Sequence, residues 1–209
     1  RNNFMLAIAK FKPFQTKVEY LGQVISLNKV SINEDRRVRF DKMEPPRTKK
    51  ELMMFLGVAS YMDVYCDSFQ ARSGALFDAL KQRPTAANPF VLSKVQLKCF
   101  EEMKIMIAEA PSLSIIDYNR ELYLECDASQ FACGSVIYQL EVDPLTKKEK
   151  RAIIRYGSKR FTVPQILSYN SIDKEALALL FSIQTHFYYL NSAPMVYIRT
   201  DMKSLIAIL

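Results

Sequence analysis

Apolar and polar positions change rhythm twice along this chain. Residues 18–26, Val-Glu-Tyr-Leu-Gly-Gln-Val-Ile-Ser, mix β-branched and aromatic side chains around a glycine. That predicts a strand with a bulge at Gly22. A second short strand is expected over 30–32, then a charged stretch that Pro45 and Pro46 close. Thr48-Lys-Lys-Glu51 reads as a capping box, and Leu52, Phe55, Leu56 and Ala59 follow at i, i+3, i+4 and i+7, one apolar helical stripe. Further helices are predicted over 69–81 and 94–110, the latter with Val95, Cys99, Phe100, Met103, Met106 and Ile107 on one side. A loop over 84–89 separates them, and Pro111 closes the second.

Beyond that point the rhythm becomes that of strands, over 121–126, 134–140 and 151–156, with a hairpin tip at 141–150. Asn170 and Ser171 offer caps for a long helix reaching about residue 190, with Asp173 and Glu175 near its positive end. Pro194 ends that segment, a fourth strand is expected over 195–200, and another helix from Leu205. Three strands, a helix and a strand inserted beside the first give an α/β reading for 119–209. With the helical unit before it, the whole chain is α+β.

Composition narrows the class. The chain has 209 residues, 49% apolar and 24% charged, which suits one large or two modest globular units. No apolar run approaches the roughly 20 residues that span a bilayer, so no membrane is expected as a partner. Residues 1–10 lack the zones of a signal peptide. There is no initiator Met and the last residues stop inside an apolar pattern, so both ends are expected to be cut from a longer chain. The four cysteines form no CxxC pair and His186 is the one histidine, which argues against a Cys/His zinc site. Buried reduced thiols, suited to an intracellular compartment, are expected instead.

Lysine and arginine exceed aspartate and glutamate by seven. Two clusters hold much of the excess, residues 36–50 and residues 147–160, the second including Lys159 and Arg160. Such stripes attract a polyphosphate backbone without reading its sequence; a solvated surface is the alternative.

Three carboxylates stand where chemistry could use them. Asp127 lies at the end of the first strand of the second region, Glu175 in the first turn of the long helix, and Asp201 at the end of the fourth strand. If those strands are neighbours and the helix packs across them, all three converge. Clustered carboxylates repel one another and persist mainly where cations neutralise them. Hard oxygen donors suit Mg2+, and two such ions roughly 3.5–4 Å apart can activate water and stabilise a departing oxygen at a phosphodiester. Taken singly, each has a plainer reading: an aspartate ending a strand forms turns or caps, and a glutamate early in a helix complements the dipole.

Several short words, in order, carry a family resemblance: 18–26, Pro-Arg-Thr-Lys-Lys-Glu-Leu-Met-Met-Phe-Leu-Gly at 46–57, Phe-Glu-Glu-Met-Lys at 100–104, and Ala-Pro-Ser-Leu at 110–113. Asp-Ala-Ser at 127–129, Tyr169, Lys174-Glu175 and Thr-Asp-Met-Lys-Ser-Leu at 200–205 continue it. The series resembles gypsy-type long-terminal-repeat retrotransposon reverse transcriptases over nearly the whole chain. The resemblance implies that 1–44 is the end of the polymerase palm with primer-gripping strands and that 45–118 is a thumb with bridging helices. It implies that 119–209 is a ribonuclease H-like mixed sheet with helices, truncated at its C-terminal side. Asp127, Glu175 and Asp201 match three of that domain's four metal-binding carboxylates, so Mg2+, with Mn2+ as a substitute, is the implied cofactor. The implied reaction is hydrolysis of RNA paired to DNA. Implied partners are RNA–DNA hybrid, primer-template and the rest of a Pol polyprotein, in a cytoplasmic virus-like particle or, alternatively, the nucleus.

For nucleic-acid contact the candidates are Tyr20 and Gly22 at the primer, Lys49 and Lys50 on the thumb helix (or merely solvated there), and Ser129, Lys159 and Arg160. The polymerase's own Tyr-x-Asp-Asp aspartates are expected upstream of Arg1 and the fourth ribonuclease H aspartate beyond Leu209. Met202, Leu92 and Ile166 depart from the family's usual histidine, tryptophan and glutamate, none of them a metal ligand. A catalytically silent, domesticated nucleic-acid-binding module is the competing reading. A serine or cysteine hydrolase would need a positioned base, whereas His186 is expected to pack mid-helix.

Overall fold

The computed structural model describes residues 13–86, 89–143 and 146–201. The helix expected from Leu205 and the element expected over 1–10 lie outside them. The first region opens as an antiparallel meander of β1 (Lys17–Tyr20), β2 (Gln23–Ser26) and β3 (Lys29–Ile32). Residues 18–26 are therefore two strands rather than one bulged strand. Leu21 (φ 50°) and Gly22 (φ 77°) both adopt left-handed backbone, and Tyr20 faces Gln23 across a two-residue turn. Two successive positive φ values match the twist of a tight hairpin. Helix α1 (Glu34–Asp41) occupies the charged stretch, where one buried residue, Phe40, gives no apolar period to read. Asn33 caps it, accepting the Asp35 amide at 2.8 Å, and Glu34 and Asp35 occupy the first turn.

Helix α2 (Lys49–Tyr61) buries the predicted stripe of Leu52, Phe55, Leu56 and Ala59. Thr48 caps it by accepting from the Glu51 amide, but the Glu51 carboxylate reaches the Arg47 N–H at 2.8 Å. The helix expected over 69–81 is broken into α3 (Phe69–Arg72) and α4 (Gly74–Ala79). Between them Ser73 is fully buried and donates its hydroxyl to the Phe69 carbonyl at 2.7 Å. Helix α5 (Lys94–Ala108) starts at a Ser93/Gln96 capping box and packs Cys99, Phe100, Met103, Met106 and Ile107 inward. Val95, expected on that side, is exposed in the first turn. Phe40 stacks on Phe55 with centroids 4.8 Å apart, Phe55 meets Phe100 in a tilted contact at 4.5 Å, and the series pins α1, α2 and α5 together. Burying each ring is worth roughly 1.5–3 kcal/mol. Strand β4 (Leu113–Ser114), unmarked by any alternation, pairs with β3 and closes this first sheet.

The second sheet comprises β5 (Leu122–Ala128), β6 (Ala132–Val142), β7 (Glu149–Arg160) and β8 (Val196–Arg199), in the order β7-β6-β5-β8. β8 lies parallel to β5, beside the first strand as expected. Helix α7 (Ser171–Ser192) makes the crossover, capped reciprocally by Asn170 and Asp173, and packs over Leu122 and Leu124. A short helix, α6 (Val163–Ser168), precedes it and was not expected, although Thr162, Pro164 and Gln165 spell a capping box with proline in the first turn. The two regions are joined through β7. Ile153 and Tyr156 pack against the core of the helical unit, and Ser158 Oγ accepts the Gln70 amide at 3.0 Å.

Candidate metal centre and the cleft beside it

Alternation along β5 points Leu122, Leu124 and Cys126 at α7 and leaves Tyr123, Glu125 and Asp127 on the other face. Asp127 is exposed, and its partner across the ladder is Gly134, which puts no side chain beside it. Asp201, also exposed, follows the end of β8. Glu175 lies one turn further into α7 than expected; the acidic residue of the first turn is Asp173. It continues the helix's buried stripe of Ala178, Leu179, Ser182 and His186 and is only 6% exposed. Its place on the buried side of the helix, beyond the first turn, separates it from a dipole-complementing glutamate.

One ligand oxygen from each of Asp127, Glu175 and Asp201 lies within 4.8 Å of the others. Glu175 Oε1 accepts the Ala128 N–H at 3.3 Å, while Oε2 is buried with no hydrogen-bond partner among the described residues. Burial first, and then the charges of Asp127 and Asp201, push the Glu175 pKa above the ordinary glutamate value, against the Ala128 amide. An orphaned buried oxygen beside two more carboxylates is a donor set that fits a hard divalent cation.

A cleft of about 700 Å³ opens beside these acids. Asp67, Ser68 and Ala71 of the helical unit line one wall, and the second sheet forms the floor. On that floor Glu125 accepts from Tyr138 Oη at 2.6 Å and Arg151 Nη1 at 2.7 Å, with Arg199 Nη1 at 3.5 Å. Burial raises the Glu125 pKa, but the Tyr138 hydroxyl and the two guanidiniums outweigh it and hold it low. Neither Glu125 nor these partners were singled out from the sequence, although period-two alternation back from Asp127 leads to Glu125.

The remaining candidates are dispersed. Tyr20 is 60% exposed at the tip of the β1–β2 hairpin, and Gly22 forms its turn. Lys49 donates to the Gln82 carbonyl at 3.4 Å, and Lys50 is exposed one residue on. Ser129 lines the cleft and organises the β5–β6 turn, its hydroxyl donating to the Ala132 carbonyl at 2.8 Å and accepting the Ala132 amide at 3.1 Å. Lys159 sits 5.8 Å from the centre of the Phe181 ring, and Arg160 is tied to Asp78 and the Gly74 carbonyl. The structure brings Ser129 to the three acids and leaves the other six elsewhere.

His186 is fully buried, its Nε2 2.9 Å from Ser135 Oγ. Burial, with a smaller contribution from Arg155, lowers its pKa to about 4. Nδ1 is buried with no hydrogen-bond partner among the described residues, and none of them orients the ring as an activated serine requires.

An α+β chain in which a mixed sheet and its crossover helix bring three carboxylates together belongs to a recognisable class. Residues 92–197 match the family described as the RNase H-like domain found in reverse transcriptase, and the chain belongs to that family. It is 24% identical over 97% of its length to the retrovirus-related Pol polyprotein from transposon opus of Drosophila melanogaster. It is 27% identical over 98% of its length to the transposon Tf2-3 polyprotein of Schizosaccharomyces pombe. The chain spans 20% and 15% of those two proteins. Its fold resembles the foamy viral protease-reverse transcriptase solved with RNA/DNA hybrid (TM-score 0.73, 18% identity, 91% of this chain and 25% of that one). It also resembles a foamy viral protease-reverse transcriptase dRH structure solved with double-stranded DNA (TM-score 0.74, 17% identity, 93% and 33%).

Proposed function

We propose that this chain is a segment of a retroelement reverse transcriptase, an RNA-directed DNA polymerase with attached ribonuclease H, and that its second region cleaves the RNA strand of an RNA–DNA hybrid. In this reading 1–44 is the end of the palm, 45–118 the thumb and bridge, and 119–209 the ribonuclease H portion. The observation that carries it is the gathering of Asp127, Glu175 and Asp201 within 4.8 Å, one oxygen of Glu175 buried and unpartnered among the described residues. When bound there, Mg2+ supplies activation of a water and stabilisation of the departing oxygen.

The chain's own residues divide the remaining work. Glu175, anchored by the Ala128 amide, forms the buried base of the site. Asp127 and Asp201, exposed at the cleft, face the side from which a phosphodiester arrives. A hybrid would be recognised by its backbone and groove shape, with 2′-hydroxyls marking the RNA strand. The test is cleavage of a hybrid labelled in its RNA strand by the full polyprotein, with and without Asp127→Asn. Loss of cleavage with hybrid binding retained is expected. Full cleavage by Asp127→Asn removes that residue from the site. A wild-type protein that binds hybrid in a salt-dependent way yet shows no Mg2+-dependent turnover is a silent nucleic-acid-binding module.

A further inference from the structure

Glu125 and Arg199 are direct partners in the parallel pairing of β5 with β8, and Asp127 and Asp201 each follow two residues later. The two-residue period of a strand places 125 and 127 on one face of β5. From this geometry we infer that Glu125 and Arg199 are positioning residues. Their ion pair, braced by Tyr138 and Arg151, locks the register of β8 so that Asp201 meets Asp127 and Glu175 around a divalent cation. The inference rests on the metal-centre reading above and names the residues that keep that centre assembled.

β8 needs such a lock. It has four residues, one strand neighbour among the described residues, and no buried side chain. A slip of one residue would set Ile198 or Thr200 opposite Glu125 in place of Arg199 and carry Asp201 about 3.3 Å along β5, away from its place beside Asp127. Before an ion binds, the three carboxylates repel one another and push the end of β8 away from β5. Arg199 opposes that push through several contacts at once. Its Nη1 lies 3.0 Å from Tyr138 Oη and 3.5 Å from Glu125 Oε1, and its guanidinium sits 4.9 Å from the centre of the Tyr123 ring. Tyr197, two residues earlier, stacks on the same Tyr123 ring at 5.0 Å. Glu125 is itself held by Arg151 and Tyr138, so each of the four strands contributes one member to the knot. Both guanidiniums are about half exposed, and an isolated pair so placed would add little to stability. Fixing a register is a different demand, and a carboxylate shared among three donors meets it.

The experiment is Mn2+ binding to the 209-residue chain, followed by the electron paramagnetic resonance signal of the free ion, with thermal unfolding measured in parallel. The variants are Arg199→Ala, Arg199→Lys, Glu125→Gln and Asp127→Asn. Arg199→Ala and Glu125→Gln are expected to weaken Mn2+ binding about tenfold, the scale typical of residues that orient metal ligands. Arg199→Lys, which keeps the charge but not the fork, should recover part of the loss. If Arg199→Ala does not fold, Glu125→Gln, nearly unchanged in volume, decides the matter. Mn2+ binding by the folded variants equal to wild type, while Asp127→Asn abolishes it, overturns the lock and leaves the metal centre standing. A wild-type chain that takes up no more Mn2+ than Asp127→Asn overturns the metal centre and the lock together.

Discussion

Arg160 and Asp78 hold the two regions of this protein together. The guanidinium meets both carboxylate oxygens, at 3.3 and 3.0 Å, and donates to the Gly74 carbonyl at 3.0 Å, bridging β7 to α4. Because residues 67–71 form a wall of the cleft and β5 and β6 its floor, this contact helps set how far apart they stand. Arg160 hydrogen bonds, opposed by burial, hold the Asp78 pKa below the usual aspartate value. That stability is present above the unfolded pKa of 3.8 and is lost as pH falls through the lowered one. The pair is partly solvated, so Arg160→Ala is expected to cost about 1 kcal/mol in urea unfolding at pH 7. Arg160→Lys should not restore it, since a point charge cannot span two oxygens and a carbonyl. An unchanged unfolding midpoint in Arg160→Ala would show that Ile153, Tyr156 and the Ser158–Gln70 hydrogen bond join the regions without it.

The β1–β2 hairpin is held by a second three-part contact. Tyr61 Oη donates to the Leu21 carbonyl at 2.5 Å, and the Arg36 guanidinium lies 4.5 Å from the centre of the Tyr61 ring. A Cβ on Gly22 would stand 2.3 Å from Arg36 Cζ, and φ there is +77°. Gly22→Ala therefore pays twice, roughly 1 kcal/mol for left-handed backbone and more for displacing Arg36 from Tyr61. A lowered melting temperature in Gly22→Ala, and a smaller drop in Gly22→Ala combined with Arg36→Ala, is the expected pattern. Equal drops in the two would show that backbone conformation alone demands the glycine.

Periodicity made α2 and α5 legible, because each lays an apolar stripe on a core. Helix α7, whose buried side includes Glu175, Ser182 and His186, was legible instead through its Asn170 cap and the closing Pro194. Periodicity could not find α1, whose one inward side chain is Phe40, nor β4, two residues held by pairing with β3. The break at Ser73 was hidden because the flanking residues keep a helical rhythm. Gly22 was visible as a glycine among β-formers, but a bulge and a two-residue turn look alike until the partner strand is placed. Of the candidate centre, the three acids could be named by their positions at element ends, with the family resemblance raising them above ordinary caps. The Glu125–Arg199 pairing depended on the register of β8 against β5, a long-range fact no local pattern encodes.

The neutral His186 makes a prediction about acid. Its pKa of about 4, against an ordinary 6.5, means the unfolded chain takes up a proton that the folded chain refuses. Its contribution is therefore complete above pH 6.5 and declines as pH falls towards 4, by about 3 kcal/mol in all. Replacing Ser135 and His186 together by Ala and Leu removes both buried polar partners at once. Wild type should lose much more stability than the double variant between pH 7 and 4.5, measured as urea midpoints. Parallel losses would place the acid sensitivity in other groups. Nearby, a Cβ on Gly157 would come within 2.8 Å of Ser135 Oγ, so Gly157→Ala should cost roughly 1–3 kcal/mol by overpacking the same layer.

Glu175 shows the opposite dependence. Its pKa is raised, by burial and then by Asp127 and Asp201, so the folded chain holds the proton more tightly than the unfolded one. For such a carboxyl the stability is complete below the unfolded value of 4.5 and is lost as pH rises through the raised one. In the presence of EDTA, Glu175→Gln should melt above wild type at pH 8, and the two should converge below pH 4.5. A divalent ion held by these residues should reverse the order, because it would offset the repulsion among the three carboxylates and the burial of the Glu175 charge. Mg2+ at about 100 times its dissociation constant should stabilise wild type by about 2.7 kcal/mol, and Glu175→Gln by much less. Thermal unfolding at pH 8, with EDTA and then with Mg2+, measures both halves. If Glu175→Gln gains nothing in EDTA and responds to Mg2+ as wild type does, the carboxylate at 175 is a satisfied core group and not a ligand.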